Sequence, residues 1–261
     1  MLKRIGIIGG TGIYSPELFE EIREEKVGTP YGSPSDTIKL AKMGNKEIAF
    51  LPRHGRNHSI PPHKVNYRAN IWALKELGVE RIISVCAVGS LREDYKPGDI
   101  VVCDQFIDMT KNRCYTFYDG GKCVHIGVAE PFCEEMRGLA IDVLKKLNLN
   151  HHPTGCYVCI EGPRFSTKAE SKVWRMLGGD IIGMTLVPEV VLAKELEMCY
   201  VSIATITDYD VWKEKPVDAA EVVRVMKENN HKIMEFLKEF IPFIPEERKC
   251  SCKNSLKNAV V

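Results

Sequence analysis

The sequence predicts one α/β domain on a mixed, largely parallel sheet with helices on its faces. Three observations predict it. Short runs of β-branched and apolar residues alternate with amphipathic stretches of helical length, the pattern of parallel strands joined by crossover helices. Two of the runs, residues 5–8 and 200–206, carry no charge, as strands buried on both faces do. Several runs end directly on glycine or small polar residues.

The elements follow in order. Residues 3–8 read as a buried strand that enters Gly9-Gly10-Thr11-Gly12. A glycine turn after a first strand exposes backbone N–H groups, so it is either an anion cradle with Thr11 or a structural turn. The spacing is neither G-x-G-x-x-G nor a Walker A loop, and no acid ends a second strand about 20 residues on, so dinucleotide binding is not expected. Residues 38–43 and 48–51 make a hairpin around Gly44-Asn45. A basic loop follows, Pro52-Arg53-His54-Gly55-Arg56-Asn57-His58, then Pro61-Pro62-His63. It is either a solvated surface loop or an oxyanion clamp with Arg53 as the fork donor. His54, His58 and His63 lack partnering Cys or Asp at metal spacing.

Residues 65–77 form a helix with Ile71, Leu74 and Leu77 on one face, ended by Gly78. A strand over 81–86 runs into Ala87-Val88-Gly89-Ser90, and another spans 99–106. Residues 107–128 are a polar-aromatic excursion with His125 near its end, and such loops serve function or a partner chain. Helix 131–147 and strand 154–160 lead into Glu161-Gly162-Pro163-Arg164-Phe165-Ser166. Thr167 and Glu170 are spaced as a capping box for helix 167–176. Strand 180–183, Met184-Thr185 and helix 188–197 follow. The strand over 200–206 runs without a break into Asp208 and Asp210. Two carboxylates at such an end are a helix cap or a site, since ligands of open α/β sheets sit beyond the carboxyl ends of strands. The last helix covers 219–240.

The 261 residues, 44% of them hydrophobic, suffice for one large core. There is no internal repeat and no linker before Pro242, so the domain is expected over residues 1–245 with a tail over 246–261. The formal net charge is +1, with both signs mixed along the chain. No basic stripe argues for nucleic acid and no polybasic segment for a membrane surface. The apolar runs are too short to span a bilayer. The chain enters a strand without a leader-like stretch, and a cytoplasmic location is expected. Ten cysteines are many for that compartment. Cys156 and Cys159 stand three apart on a strand, facing opposite ways, so neither metal nor redox use is expected of them. Cys250 and Cys252 are either free thiols or part of a disulfide, which intracellular proteins of hyperthermophiles do form. The dense use of Glu and Lys agrees with the second.

The strand ends carry glycines, hydroxyls and cations at Gly9 to Gly12, Arg53-His54, Cys86-Ala87 and Met184-Thr185, and carboxylates at Asp208 and Asp210. The first set suits an oxyanion and the second a heterocycle with donors. No Ser-His-Asp order or Cys-His nucleophile stands out. None is required if phosphate is itself the nucleophile.

These segments resemble a known family. They are Gly6-Ile7-Ile8-Gly9-Gly10-Thr11-Gly12, Pro52-Arg53-His54-Gly55, Asn66-Tyr67-Arg68-Ala69-Asn70-Ile71-Trp72, Gly89-Ser90-Leu91 and Asp104-Gln105-Phe106-Ile107-Asp108. Ala129-Glu130-Pro131-Phe132-Cys133, Glu161-Gly162-Pro163-Arg164-Phe165-Ser166, Gly183-Met184-Thr185, Val187-Pro188-Glu189 and Thr207-Asp208-Tyr209-Asp210 complete the match. Over about residues 4 to 241 the chain is similar to the S-methyl-5′-thioadenosine phosphorylases of the trimeric purine nucleoside phosphorylase group. The Cys250-Ser251-Cys252 tail resembles archaeal members.

The resemblance implies a nucleoside phosphorylase-like fold and a homo-oligomer, a trimer or a hexamer built as a dimer of trimers. It implies no cofactor and no metal, with inorganic phosphate as co-substrate. By the same resemblance Thr11, Arg53, His54, Cys86, Ala87 and Thr185 bind phosphate. Cys86 stands where relatives usually have Thr, Ser or Asn, and a thiol is a weaker donor. Met184 lies under the ribose, Phe165 and Ser166 flank the base, and His125 reaches the 5′ end of the sugar across a subunit interface. Asp208 and Asp210 bind the purine and act in catalysis. Arg53 and His54 balance the phosphate charge. Phosphate would attack C1′ while Asp208, its pKa raised by burial beside Asp210, donates at N7. A carboxylate facing the 6-position favours an amino group there over an oxo group. The alternatives are a broader purine nucleoside phosphorylase that also takes inosine, guanosine, adenosine or methylthioinosine, and a non-catalytic purine-binding module.

Overall fold

The computed structural model describes residues 4–10, 19–213 and 218–261. Its strands are β1 (Arg4–Gly9), β2 (Glu20–Glu25), β3 (Ile38–Met43), β4 (Lys46–Pro52), β5 (Val79–Ser90), β6 (Ile100–Val102), β7 (Gln105–Met109), β8 (His151–His152), β9 (Cys156–Ile160), β10 (Ile181–Gly183) and β11 (Cys199–Asp208). Its helices are α1 (Tyr67–Glu76), α2 (Glu134–Lys146), α3 (Lys168–Met176), α4 (Glu189–Glu195) and α5 (Ala219–Phe243). The mixed, largely parallel sheet is as expected: among the described residues six of ten ladders are parallel.

β5 organises the sheet. Its first part lies between β1 and β11, both parallel to it. At its end β10 joins it antiparallel, pairing Ile182 with Gly89. The sheet therefore forks, one arm continuing through β10, β9 and β7 and the other through β11, β6 and β8. Both faces are covered, which is why β5 and β11 read as unbroken apolar runs. Ile82, Tyr200, Ala204 and Ile206 pack with α1 and α4 through Ile71, Leu74, Val190 and Leu192. Ile83, Val201 and Ile203 pack on the opposite face with α2 and α5 through Met136, Leu144, Phe236 and Phe240. Each such side chain, fully buried, contributes about 1.5–3 kcal/mol relative to exposure.

The helices start and stop within a few residues of their expected bounds. The capping box of α3 is formed: Thr167 Oγ1 accepts from Glu170 N, and the Glu170 carboxylate accepts from Thr167 N. Three features differ from expectation. The strand over 99–106 is two strands, because the chain leaves β11 at Val102 and joins β9 at Gln105. Cys103 N donates to Ser202 O and the Asp104 carboxylate accepts from Gly155 N at this crossing between arms. β2 reads Glu-Glu-Ile-Arg-Glu-Glu, a charged edge strand without strand-like patterning. Among the described residues Asp210 caps no helix: it sits in a turn at φ +49°, and α5 is capped by Asp218.

The C-terminal tail docks on the domain. Arg81 donates to the carbonyls of Glu246 and Glu247, Arg248 to Glu197 O, and Ser255 to Lys194 O. All ten cysteines are free thiols, so the expected tail disulfide is not formed here. The tail sulfurs are drawn instead to two buried ones: the Sγ atoms of Cys133, Cys199, Cys250 and Cys252 lie within 4.8 Å of one another. Among the described residues no helix is long and apolar enough to cross a membrane.

Candidate active site

The candidate residues gather where β4, β5, β10 and β11 end. Arg53 follows β4 directly, and its N–H donates to Gly9 O at the end of β1. Its side chain is buried and turned inward. Nε and Nη2 form a bidentate pair with the Glu189 carboxylate at 2.7 and 2.8 Å. Nη2 also donates to Ser84 Oγ and Nη1 to Val85 O. Burial disfavours its charge, but the Glu189 carboxylate outweighs that and raises the pKa further above the ordinary arginine value. Four of the five guanidinium donors are thus engaged by protein, and the cation is neutralised within the core. Glu189 also accepts from Tyr200 Oη (2.7 Å) and Ser84 Oγ (3.0 Å).

His54 is not the cation that the loop implied. Burial, then the neighbouring Arg53, pushes its pKa down to about 4. Its Nδ1 lies 2.8 Å from Ile60 O. A carbonyl only accepts, so Nδ1 carries the proton of the neutral ring and Nε2 is left as an acceptor. The ring stacks on His58 with centroids 4.6 Å apart.

Cys86 and Ala87 lie on β5 opposite Ala204 and Thr205 of β11. Burial pushes the Cys86 thiol up to about 11, so it stays protonated. Its sulfur is 4.0 Å from Ser202 Oγ, and Thr205 Oγ1 donates to its carbonyl. Thr185 is buried, and its N–H donates to the wholly buried Tyr157 Oη at 3.4 Å. Met184 packs close to Gly162, which has φ +68°; a Cβ there would lie 2.9 Å from Pro62 Cγ. Thr11 lies outside the described residues.

Asp208 is the last residue of β11, beside Gly89 of β5. A Cβ on Gly89 would lie 2.8 Å from Asp208 Oδ1 and 3.2 Å from Asp210 N, so only glycine admits this arrangement. Asp208 Oδ1 accepts from Asp210 N, and Oδ2 accepts from Thr207 Oγ1, both at 2.7 Å. Burial raises the pKa of Asp208. Burial also raises that of Asp210, with the Asp208 charge adding to it. Asp210 is 4% exposed, and its Oδ2 reaches no partner at full hydrogen-bond geometry among the described residues, although the buried Ser171 hydroxyl stands near enough to offset part of the rise. Both acids line a cavity of about 560 Å³ with Tyr209, Val225 and the cations Lys213, Arg224 and Lys232, and none of Arg53, His54, Cys86, Ala87 and Thr185 lines it. From Ala87 to Gly89 is roughly 7 Å along β5 at about 3.3 Å per residue.

Phe165 is 41% exposed, while Ser166 is buried and accepts from Trp174 Nε1. His125 is not brought to this set. It is exposed, and among the described residues its contacts are Cys123 Sγ and Ala259 O. Sequence reasoning gave no role to Glu189, which stands in the first turn of α4, or to Arg113. Buried Arg113 donates to the carbonyls of Ile160, Glu161 and Val187. It joins the loop carrying Phe165 to the one carrying Met184 and Thr185. Nothing in the polar excursion around Arg113 marked it.

The residues able to hold a metal lie elsewhere. The sulfurs of Cys133, Cys199, Cys250 and Cys252 lie within 4.8 Å of one another; the ligand sulfurs of a tetrahedral ion stand about 3.8 Å apart for bonds of about 2.3 Å, and the 3.3 Å between Cys199 and Cys250 would have to open to hold one. Cys199 opens β11 and Asp208 closes it, roughly 30 Å away at about 3.3 Å per residue. An ion there takes no part at the strand ends.

A forked α/β sheet with an acid pair at the end of one of its central strands defines the class. The chain belongs to the phosphorylase superfamily, whose model matches residues 4–242. It is 61% identical to an S-methyl-5′-thioadenosine phosphorylase of Thermofilum pendens, covering 99% of this chain and 98% of that one. It is 62% identical to one from Saccharolobus solfataricus, over 98% and 97% of the two chains. A methylthioadenosine phosphorylase from an antarctic soil metagenomic library superposes with a TM-score of 0.95 at 42% identity, covering 100% of this chain and 93% of that one. The Schistosoma mansoni enzyme in complex with adenine gives 0.92 at 40% identity, over 97% and 96% of the chains. Within the superfamily the chain belongs to the S-methyl-5′-thioadenosine phosphorylase family.

Proposed function

We propose that the protein catalyses the phosphorolysis of S-methyl-5′-thioadenosine, releasing adenine and 5-methylthioribose-1-phosphate. The observation that carries this reading is the acid pair at the end of β11, buried Asp210 and half-buried Asp208. Neither is paired with a cation among the described residues, and Asp210 keeps a buried oxygen without a partner at full hydrogen-bond geometry. Such a pair suits a ligand that brings donors, as the 6-amino group of adenine does. The relatives named above support the same substrate.

In this reading phosphate attacks C1′ as the glycosidic bond breaks, and the purine leaves with negative charge. Asp208, whose protonated form burial favours, donates at N7. Thr207 Oγ1 and the Asp210 N–H fix its carboxyl group. Phosphate is held by Thr11, Cys86, Ala87, Thr185 and the remaining Arg53 N–H. Neutral His54 accepts from phosphate or ribose at Nε2. Met184 supports the ribose, Phe165 and Ser166 flank the base, and His125 reaches the 5′ end of a neighbouring subunit's substrate. No cofactor enters, and the enzyme works in the cytoplasm as a homo-oligomer, a trimer or hexamer. We also propose that the tail cysteines oxidise in the cell and add heat stability. A melting temperature unchanged by Cys250→Ser would argue against that.

The test is release of adenine from methylthioadenosine with and without phosphate. Release only with phosphate supports phosphorolysis, and binding alone reduces the protein to a purine-binding module. Relative kcat/KM on methylthioadenosine, adenosine, inosine and methylthioinosine separates the proposed substrate from a broader purine nucleoside specificity.

A further inference from the structure

A second buried polar pair stands beside the acids and the phosphate residues. Tyr67 opens α1, Arg113 lies beyond the end of β7, and both are buried. The Tyr67 hydroxyl accepts from Arg113 Nη1 at 3.2 Å and donates to Pro62 O at 3.0 Å. Met184 O lies 3.5 Å from the same oxygen. Burial raises the Tyr67 pKa, so the hydroxyl keeps the proton it donates. The guanidinium stands 5.2 Å from the centre of the Tyr67 ring. Nη1 also donates to Val187 O, and Nη2 donates to Glu161 O at 2.8 Å and to Ile160 O at 3.3 Å. The Glu161 carboxylate, 3.6 Å from Nε, balances the charge.

The pair thereby joins three loops that leave the sheet at different strands. One follows β4 and holds Pro62. Another follows β9 and holds Glu161 and Phe165. The last follows β10 and holds Met184 and Val187. The loops also press on one another: a Cβ on Gly162 would lie 2.9 Å from Pro62 Cγ and 3.3 Å from Met184 Cγ. Irregular backbone keeps one conformation only where such contacts offset its entropy. The proposed phosphate half has other anchors. Arg53 is held by Glu189, Ser84 and Val85 O, and Cys86 and Ala87 lie within β5. Thr185 shares the loop after β10, but its N–H is fixed by Tyr157 Oη.

We propose that Tyr67 and Arg113 are positioning residues for the nucleoside half of the site: they lock the loops that present Met184 and Phe165 into one unit and leave the phosphate half untouched. Neither side chain touches substrate in this arrangement; both act through loop carbonyls. The proposal rests on the reading of the site as a nucleoside phosphorylase.

The experiment compares Tyr67→Phe, Arg113→Lys and Met184→Ala on the full-length protein, with each of the first two also combined with the third. The readouts are the KM for methylthioadenosine, the KM for phosphate at saturating nucleoside, and the melting temperature. Tyr67→Phe removes one hydroxyl and keeps the ring. It is expected to raise the methylthioadenosine KM about fivefold, the worth of roughly one hydrogen bond. Arg113→Lys keeps the charge but loses the planar fork that meets carbonyls of two loops. It should raise the same KM on the order of tenfold, as loss of a hydrogen bond to a charged group does. The phosphate KM should stay within about twofold in both variants. Added to Met184→Ala, either substitution should cost less than it does alone, because groups in one network do not add. An unchanged methylthioadenosine KM overturns the proposal. So does a phosphate KM that rises in step with it, which marks general loosening of the fold, and so do effects that multiply in the combinations. If Arg113→Lys does not fold, Tyr67→Phe alone decides by the same outcomes. A parent protein that releases no adenine in the presence of phosphate removes the underlying reading, whereas an active parent beside silent variants removes this proposal alone.

Discussion

The two ends of the site manage buried charge in opposite ways. At the β4 end the Arg53 cation meets its counter-ion inside the core, and Glu189 accepts four hydrogen bonds from Arg53, Ser84 and Tyr200. At the β11 end the Asp210 backbone N–H donates to Asp208 Oδ1 at 2.7 Å, no cation pairs with either acid among the described residues, and one carboxylate oxygen reaches no partner at full hydrogen-bond geometry. The first end is satisfied before any ligand arrives and works as scaffold. The second carries an unmet demand for donors and a proton. Polar groups left unsatisfied in a folded protein cluster where function needs them.

The largest expected effect breaks the satisfied end. Glu189→Gln leaves the buried Arg53 charge without its counter-ion and should cost about 3–5 kcal/mol, as removal of one partner of a buried pair does. Urea unfolding of the two proteins measures it. A loss below about 1 kcal/mol would show that Arg53 finds water or phosphate instead, and the contrast between the ends would weaken. The phosphate KM should rise in the same variant, because the guanidinium no longer holds its place.

Asp208→Asn tests the unsatisfied end. It should lower kcat/KM on 6-aminopurine nucleosides by about 100-fold, the lower range for loss of a general acid, and spare or raise activity on inosine. Equal losses on both substrates would show that the acid does not read the 6-position. The same variant should be more stable than the parent at neutral pH. The sign follows from burial: a carboxyl whose folded pKa is raised contributes stability below its unfolded pKa, about 4, and loses it as pH rises through the folded value. Asn carries no such penalty, so its advantage should fade as the pH approaches about 4.

The contrast was half visible in the sequence. Tyr200 to Asp208 could be read as a buried strand ending in acid because both faces are apolar and the charge starts abruptly. Thr167 and Glu170 announced their helix by a purely local rule. Pairs distant along the chain left no such mark. Arg53 and Glu189 are 136 residues apart, and each alone fits a blander role, a surface loop cation and a first-turn acid. Cys133 and Cys199 gave no hint that they meet the tail. The crossing at Cys103 and Asp104 was hidden because both flanking strands are apolar, and only the fork of the sheet separates them.

His54 gives the smallest effect and the finest discrimination between the two ends. A neutral histidine beside a neutralised arginine makes the proposed phosphate end nearly uncharged, whereas a protonated one would make it a cation clamp. The folded pKa of about 4 lies below the ordinary value of 6.5. A group depressed in this way contributes stability that is present above 6.5 and lost as pH falls toward 4, because the unfolded chain binds the proton more readily. The slope is at most about 1.4 kcal/mol per pH unit for one group, less for a half-buried ring. Other groups titrate in the same window, so the informative quantity is the stability of the parent minus that of His54→Gln. It should fall steadily from pH 7 to pH 5. A difference independent of pH would mean that His54 keeps its ordinary pKa, and the two ends would then differ in the sign of their charge and not in whether it is satisfied.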